Sequence, residues 1–169
     1  GSNTPAVSLA GTLLPSAVTV DAAKDYTFGG TGSIGGAAAL TKSGAGKLTV
    51  GTANSYTGGT TVDEGTLVLN NATAAGSGPI HLAGGSLTLG ASVNNALDVT
   101  APVTLTTGGN TLGGAWTGTD TLNVAITGGN TFSVTGDMSG FGGAVALGGS
   151  TGFFRFNGSL GSPAATFDL

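Results

Sequence analysis

Gly108-Gly109-Asn110-Thr111-Leu112 returns as Gly128-Gly129-Asn130-Thr131-Phe132 further along the chain. A second series runs through the middle: Gly46-Lys47-Leu48-Thr49-Val50-Gly51, then Gly65-Thr66-Leu67-Val68-Leu69-Asn70, then Gly85-Ser86-Leu87-Thr88-Leu89-Gly90. Gly143-Ala144-Val145-Ala146-Leu147-Gly148 is a looser member. Self-similarity at a period of about 20 residues is the signature of a stacked-repeat architecture.

Inside each unit apolar and small polar residues alternate. Leu48, Val50, Leu67 and Leu69 point one way, and Lys47, Thr49, Thr66 and Val68 the other. That period of two is the pattern of a half-buried strand. The linking segments are Gly-Gly, Asn-Asn and Ser-Gly-Pro, all turn chemistry. The one helix-like stretch, Gly36-Ala37-Ala38-Ala39-Leu40, is about a single turn set among glycines. A coil of about 20 residues holds two or three short strands, and coils stacked about 4.8 Å apart let each strand pair with its copies above and below. The expected fold is therefore all-β, a parallel β-helix or solenoid of about eight coils. Leu67 faces its interior. The rival architecture is an antiparallel sandwich, whose turns recur about every 8–12 residues. The repeat at Gly108 and Gly128 favours the solenoid.

Composition agrees. Glycine supplies 34 of 169 residues. That is too many for a helical protein, in which each interior Gly costs about 1 kcal/mol. Only 7% of residues are charged and the net charge is −4. No basic stripe is available to nucleic acid or an anionic membrane. No apolar run approaches the ~18 residues of a membrane span. The absence of Cys excludes a disulfide framework and thiolate metal sites. Gly1-Ser2 reads as an expression scar, and residues 3–169 as one β-helix domain, a segment of a larger protein.

Residues 40–69 carry a more specific pattern: Leu40-Thr41-Lys42, Gly44, Gly46, Leu48-Thr49-Val50, then Asn54-Ser55-Tyr56-Thr57-Gly58-Gly59-Thr60-Thr61, then Gly65-Thr66-Leu67. This resembles the passenger-associated transport repeat, also called the autotransporter-associated β-strand repeat. The resemblance implies a right-handed parallel β-helix within a long, exported bacterial protein, secreted or at the cell surface. It implies a part in passenger folding and passage across the outer membrane, and it brings no catalytic residues. The chain shows no translocator barrel, so the anchoring of its parent stays open.

Chemistry is sparse. Glycosidic hydrolysis needs two carboxylates flanking one bond. Of the acids, only Asp63 and Glu64 are adjacent, and just before Gly65 they fit a solvated corner. His81, the sole His, sits in Pro79-Ile80-His81-Leu82 on the face opposite its apolar neighbours. A lone His excludes a His-rich metal site or a triad. No catalytic residue, metal ligand or cofactor is expected. The remaining candidates are rings on which a sugar could stack: Trp116, the only Trp, with Asp120 close by, and Tyr56 within the repeat pattern. Each also has a structural reading, as a ring filling the coil interior. Phe154 and Phe156 fall on one face and Phe153 on the other.

Two functions stand at this point. One is a non-catalytic structural module, a rigid spacer that holds neighbouring domains of its parent away from the cell. The other is a carbohydrate-binding module of an extracellular polysaccharide-degrading enzyme, gripping glycan through Trp116, Tyr56 and Asp120.

Overall fold

A computed structural model describes residues 5–148 and 151–159 and the backbone of 166–168; Gly1-Ser2 lies outside them. Among the described residues there is no helix, and every strand pairing is parallel. The antiparallel sandwich is thereby excluded. Strands of one coil do not pair with each other; each pairs with the equivalent strand of the next coil.

Three faces result. The long sheet stacks nine strands, from Ala6–Leu9 through Tyr26–Gly30, Lys47–Val50, Thr66–Leu69, Ser86–Leu89, Val103–Thr107, Leu122–Ile126 and Ala144–Leu147 to Thr166–Asp168. The second sheet stacks seven, from Val18–Asp21 to Gly140–Phe141. The third face is broken. It pairs Thr12–Leu13 with Ser33–Ile34 near one end, and Thr111–Leu112, Thr131–Val134 and Phe153–Phe156 near the other. The solenoid makes about seven turns, one fewer than a uniform period along the whole chain suggests. Coil length varies along the long sheet: Leu87 pairs with Leu105 across a short coil, and Leu122 with Val145 across a long one.

The interior is a set of ladders along the axis. Leu48, Leu67, Leu87, Leu105 and Val124 stack in one column, Val50, Leu69 and Leu89 in the next. All are buried. Leu67 is fully enclosed, as alternation required. Each such side chain contributes about 2 kcal/mol of burial, and the column arrangement makes it contact its own equivalents above and below. Outward positions carry small hydroxyl residues: Thr27 and Thr49 align on the long sheet, and Thr19, Thr41 and Thr61 on the second. Thr suits both the pleated surface and water.

Corners need glycine where successive turns press together. Gly65 has φ +69°, and a Cβ there would lie 2.4 Å from the Gly46 carbonyl oxygen of the coil before. Asp63 and Glu64 are exposed at that corner, as expected.

One and the same offset along the chain separates Leu105 from Val124, Leu97 from Trp116 and Val93 from Leu112, one pair on each face. Excising residues 105–123 therefore removes one whole coil without breaking any register. The excised protein should keep its β circular dichroism and a cooperative melt, and small-angle scattering should find it shorter by about 4.8 Å. Excising 105–114 instead should unfold it, because every later strand loses its place in the coil and its matching column.

Candidate functional site

Residues 40–69 contain the most concentrated set of buried polar groups among the described residues. The strand Leu40–Ser43 alternates, so Lys42 points inward in a column between Val20 and Val62. Its side chain is almost wholly buried. Lys Nζ carries three protons, and three backbone carbonyls accept them: Ser43 at 3.1 Å, Gly44 at 2.6 Å and, from the following coil, Glu64 at 3.1 Å. The ammonium clips two successive corners together. Burial pushes its pKa down, and the Glu64, Asp21 and Asp25 carboxylates pull it back up.

From Gly51 to Gly59 the chain forms no strand, so the third face has a gap. Asn54 fills it. Its Oδ1 accepts from the Ile34 amide of the coil before at 2.9 Å, and its Nδ2 donates to the Ala74 carbonyl of the coil after at 2.8 Å. A side-chain amide thus takes the place of a ladder peptide. Asn95, two coils on, ties its turn to the coil before by donating to the carbonyls of Gly76 and Gly78.

Tyr56 is buried beneath this gap, its hydroxyl 2.6 Å from Thr60 Oγ1. Thr60 Oγ1 donates to the Ala75 carbonyl at 3.2 Å. A hydroxyl has one proton to give, so Tyr56 is the donor to Thr60. Burial raises the Tyr56 pKa to about 12. Gly76, at φ +66°, lies against it; a Cβ there would meet the Tyr56 carbonyl oxygen at 2.3 Å and its ring at 2.8 Å.

The three expected glycan contacts do not converge. Tyr56 is committed inside. Trp116 is also fully buried, in the inward column of the second sheet above Leu97. Gly118, two residues on, has φ +103°, and a Cβ there would lie 2.0 Å from the Val99 carbonyl oxygen of the coil before. Phe141, stacked next to Gly118, meets the indole edge-on with centroids 5.9 Å apart. The indole Nε1 is buried without a hydrogen-bond partner. Neither ring is a surface on which a sugar could stack, which corrects that expectation: volume inside the coil, not ligand, accounts for both. Asp120 is half-buried at the corner after Gly118. Phe153 is exposed, and Phe154 and Phe156 turn inward, as alternation required.

The outer surface holds one polar cluster that sequence reading missed. His81 Nδ1 lies 3.1 Å from Asp98 Oδ2, and Thr117 Oγ1 donates to Asp98 Oδ1 at 2.8 Å. These residues, with Thr61, are successive rungs of the second sheet. Their spacing could have revealed the alignment only once the local coil lengths were known. Elsewhere, the amide and ammonium of Lys47 hold the exposed Asp25 carboxyl below its ordinary pKa. Among the described residues, no three His, Asp or Glu side chains gather as a metal site would require, and no helix is long and apolar enough to cross a membrane.

The model of the passenger-associated transport repeat matches residues 40–69. Those residues include Lys42, Asn54, Tyr56 and Thr60. This chain carries a passenger-associated transport repeat. It is also 38% identical over 135 residues to the adhesin BmaC autotransporter of Brucella suis biovar 1 (strain 1330). The alignment covers 78% of this chain and 4% of that much longer relative. No solved structure matches the chain significantly. In physical terms the repeat is a coil whose missing third strand is replaced by buried side chains.

Both networks are open to measurement. Lys42→Met should lower stability by about 3 kcal/mol, because three carbonyls lose a charged donor at once. A denaturant midpoint measures it, with exposed Lys24→Met staying within about 0.5 kcal/mol of the parent. The second prediction is alkaline. Folded Tyr56 keeps its proton to about pH 12, whereas the unfolded side chain releases it from its ordinary value of 10.0. Raising the pH from 10 towards 12 therefore favours the unfolded state, and stability falls. Tyr56→Phe should cost about 1 kcal/mol at neutral pH and show a shallower alkaline loss, read from melts across that range.

Proposed function

We propose that this chain is a non-enzymatic structural segment of a bacterial autotransporter displayed at the cell surface, where the solenoid serves as a stiff spacer for neighbouring parts of the same protein. The observation that carries this reading is the use of the repeat's polar residues. Lys42, Asn54, Tyr56 and Thr60 make their hydrogen bonds inside the coil, joining it to its neighbours, and all four are buried away from any ligand at the surface. Likeness to an autotransporter adhesin supports an exported, surface-exposed setting. The lateral surface suits it too: it is mostly hydroxyl and small residues with little charge, and such a surface stays soluble without offering a strong partner. A parallel stack also gives stiffness, because bending it strains the ladders of all three faces together.

The carbohydrate-binding alternative loses its aromatic platform and has no other observation in its favour.

The test is display. An epitope inserted at Ala72, in the exposed part of the loop between Asn70 and Ser77, should be labelled by antibody on intact cells producing the parent protein. Labelling only after the outer membrane is permeabilised would overturn the reading.

A further inference from the structure

The loop that follows the strand Thr66–Leu69 carries chemistry that no ladder uses. Asn71-Ala72-Thr73 is an Asn-x-Thr triplet, the pattern on which sugars are joined to asparagine in exported proteins. Asn71 is half-buried, and Ala72 and Thr73 are exposed. Asn71 Oδ1 accepts twice from Thr73, from its amide at 3.0 Å and from its hydroxyl at 3.2 Å. The Asn71 carbonyl accepts from the Ala74 amide at 3.1 Å, and the Thr73 carbonyl from the Gly76 amide at 2.9 Å. These bonds all lie within residues 71–76, so the turn needs no other coil to form. They leave Asn71 Nδ2 without a partner among the described residues. An amide nitrogen is a poor nucleophile, because its lone pair is shared with the carbonyl. Two donors on Oδ1 stabilise the charge that gathers there as Nδ2 gives up its proton. Thr73 is thus a positioning residue for Asn71.

A second triplet, Asn157-Gly158-Ser159, has the same chemistry in a different setting. It belongs to the ladder. The Asn157 amide donates to the Val134 carbonyl at 2.8 Å, and the Ser159 carbonyl accepts from the Met138 amide at 3.0 Å. A Cβ on Gly158 would lie 1.9 Å from the Gly136 carbonyl oxygen. Curling this backbone as at Asn71 would break both rungs. Space also sets the two apart. Ala72, Thr73, Gly76, Ser77, Asn94 and Asn95 line an open trough of about 280 Å³ beside the first turn. It has room for one sugar ring, and Ser77 and Asn94 are exposed there to meet its hydroxyls.

We propose that Asn71 is a glycosylation site, its Nδ2 the acceptor of a sugar delivered as a glycosyl diphosphate by a transferase of the producing cell. Nδ2 attacks the anomeric carbon, and the new N–C bond forms as the bond from that carbon to the diphosphate oxygen breaks. The diphosphate leaves with the electron pair, and the Nδ2 proton passes to a base of the transferase. Nothing is oxidised or reduced. The sugar is joined to a lateral loop, where it disturbs no ladder and no interior column. The inference stands on the turn and the trough, and holds whether or not the spacer reading does.

The test is the mass of the loop peptide in the parent protein, purified from the bacterium that encodes it. Fragmentation by electron transfer should place sugar on Asn71 and none on Asn157. Asn71→Gln and Thr73→Ala should each abolish the added mass, whereas Thr73→Ser should keep it, because the hydroxyl donor is retained. All three variants should keep the β circular dichroism and melting midpoint of the parent, since the loop lies outside the interior columns. A version of the parent retained in the cytoplasm separates the two sources of donor. Sugar added there comes from a nucleotide-linked diphosphate, and sugar added only after export from a lipid-linked one; either result supports the proposal. An unmodified Asn71 would overturn it. So would sugar retained in Thr73→Ala, or as much sugar on Asn157 as on Asn71, since the turn would then play no part. None of these outcomes bears on the labelling of intact cells, so the two readings fail separately.

Discussion

Every coil of this protein depends on the coils beside it for its backbone hydrogen bonds. A strand in one turn has no partner within that turn; its amides and carbonyls are met by the next turn, about 4.8 Å away. An unpaired buried peptide group is too costly to tolerate, so the ladder is the condition on which all else rests. It decides which residues are neighbours. Leu48 stacks on Leu67 and turns away from Thr49, and His81 meets Asp98 from the next coil. It also fixes what may vary. Coil length drifts from turn to turn, and the difference is taken up in corners and gaps, where no column is disturbed.

The gap at residues 51–59 shows how the ladder survives a missing strand. Without a third-face strand, the Ile34 amide below and the Ala74 carbonyl above would both lack partners. The Asn54 amide reproduces a peptide's donor and acceptor and meets both. Tyr56 and Thr60 settle a further carbonyl, and Lys42 settles three at the corner. A buried ammonium would be a liability in an apolar core. Here it is tolerable because each of its protons has an acceptor. The polar residues of the repeat are best understood as parts of the backbone's own bonding.

This bears on what the sequence could reveal. Period-two alternation put Leu67, Leu69, Ile80 and Leu82 inside and His81 outside, because a strand's faces follow from parity alone. The repeat length revealed the stacking. Lys42 escaped, since lysine is normally a solvent-facing residue and one of its acceptors, the Glu64 carbonyl, belongs to the next coil's corner. Trp116 was ambiguous for a related reason. An aromatic ring among glycines describes both an exposed platform and a plug. The deciding fact, an indole enclosed between coils with Phe141 edge-on against it, belongs to packing and not to pattern. The His81–Asp98–Thr117 row was hidden because the local coil is shorter than the average period.

The plain sides and the apolar residues exposed in the first coil are two consequences of one geometry. A coil with neighbours on both sides has spent its backbone edges and its apolar columns, so its lateral surface shows only what the alternation left outward. That is why Thr, Ser and Ala dominate there. An end coil has spent half as much. Unpaired strand edges in a solenoid are therefore confined to its ends, as the nearest-neighbour character of repeat proteins requires. The exposure of Leu13 and Leu14 beside the enclosure of Ile34 and Leu40 is this rule seen at single residues. A molecule made this way gains length by adding coils and gains no chemistry in doing so, which is the property a spacer needs.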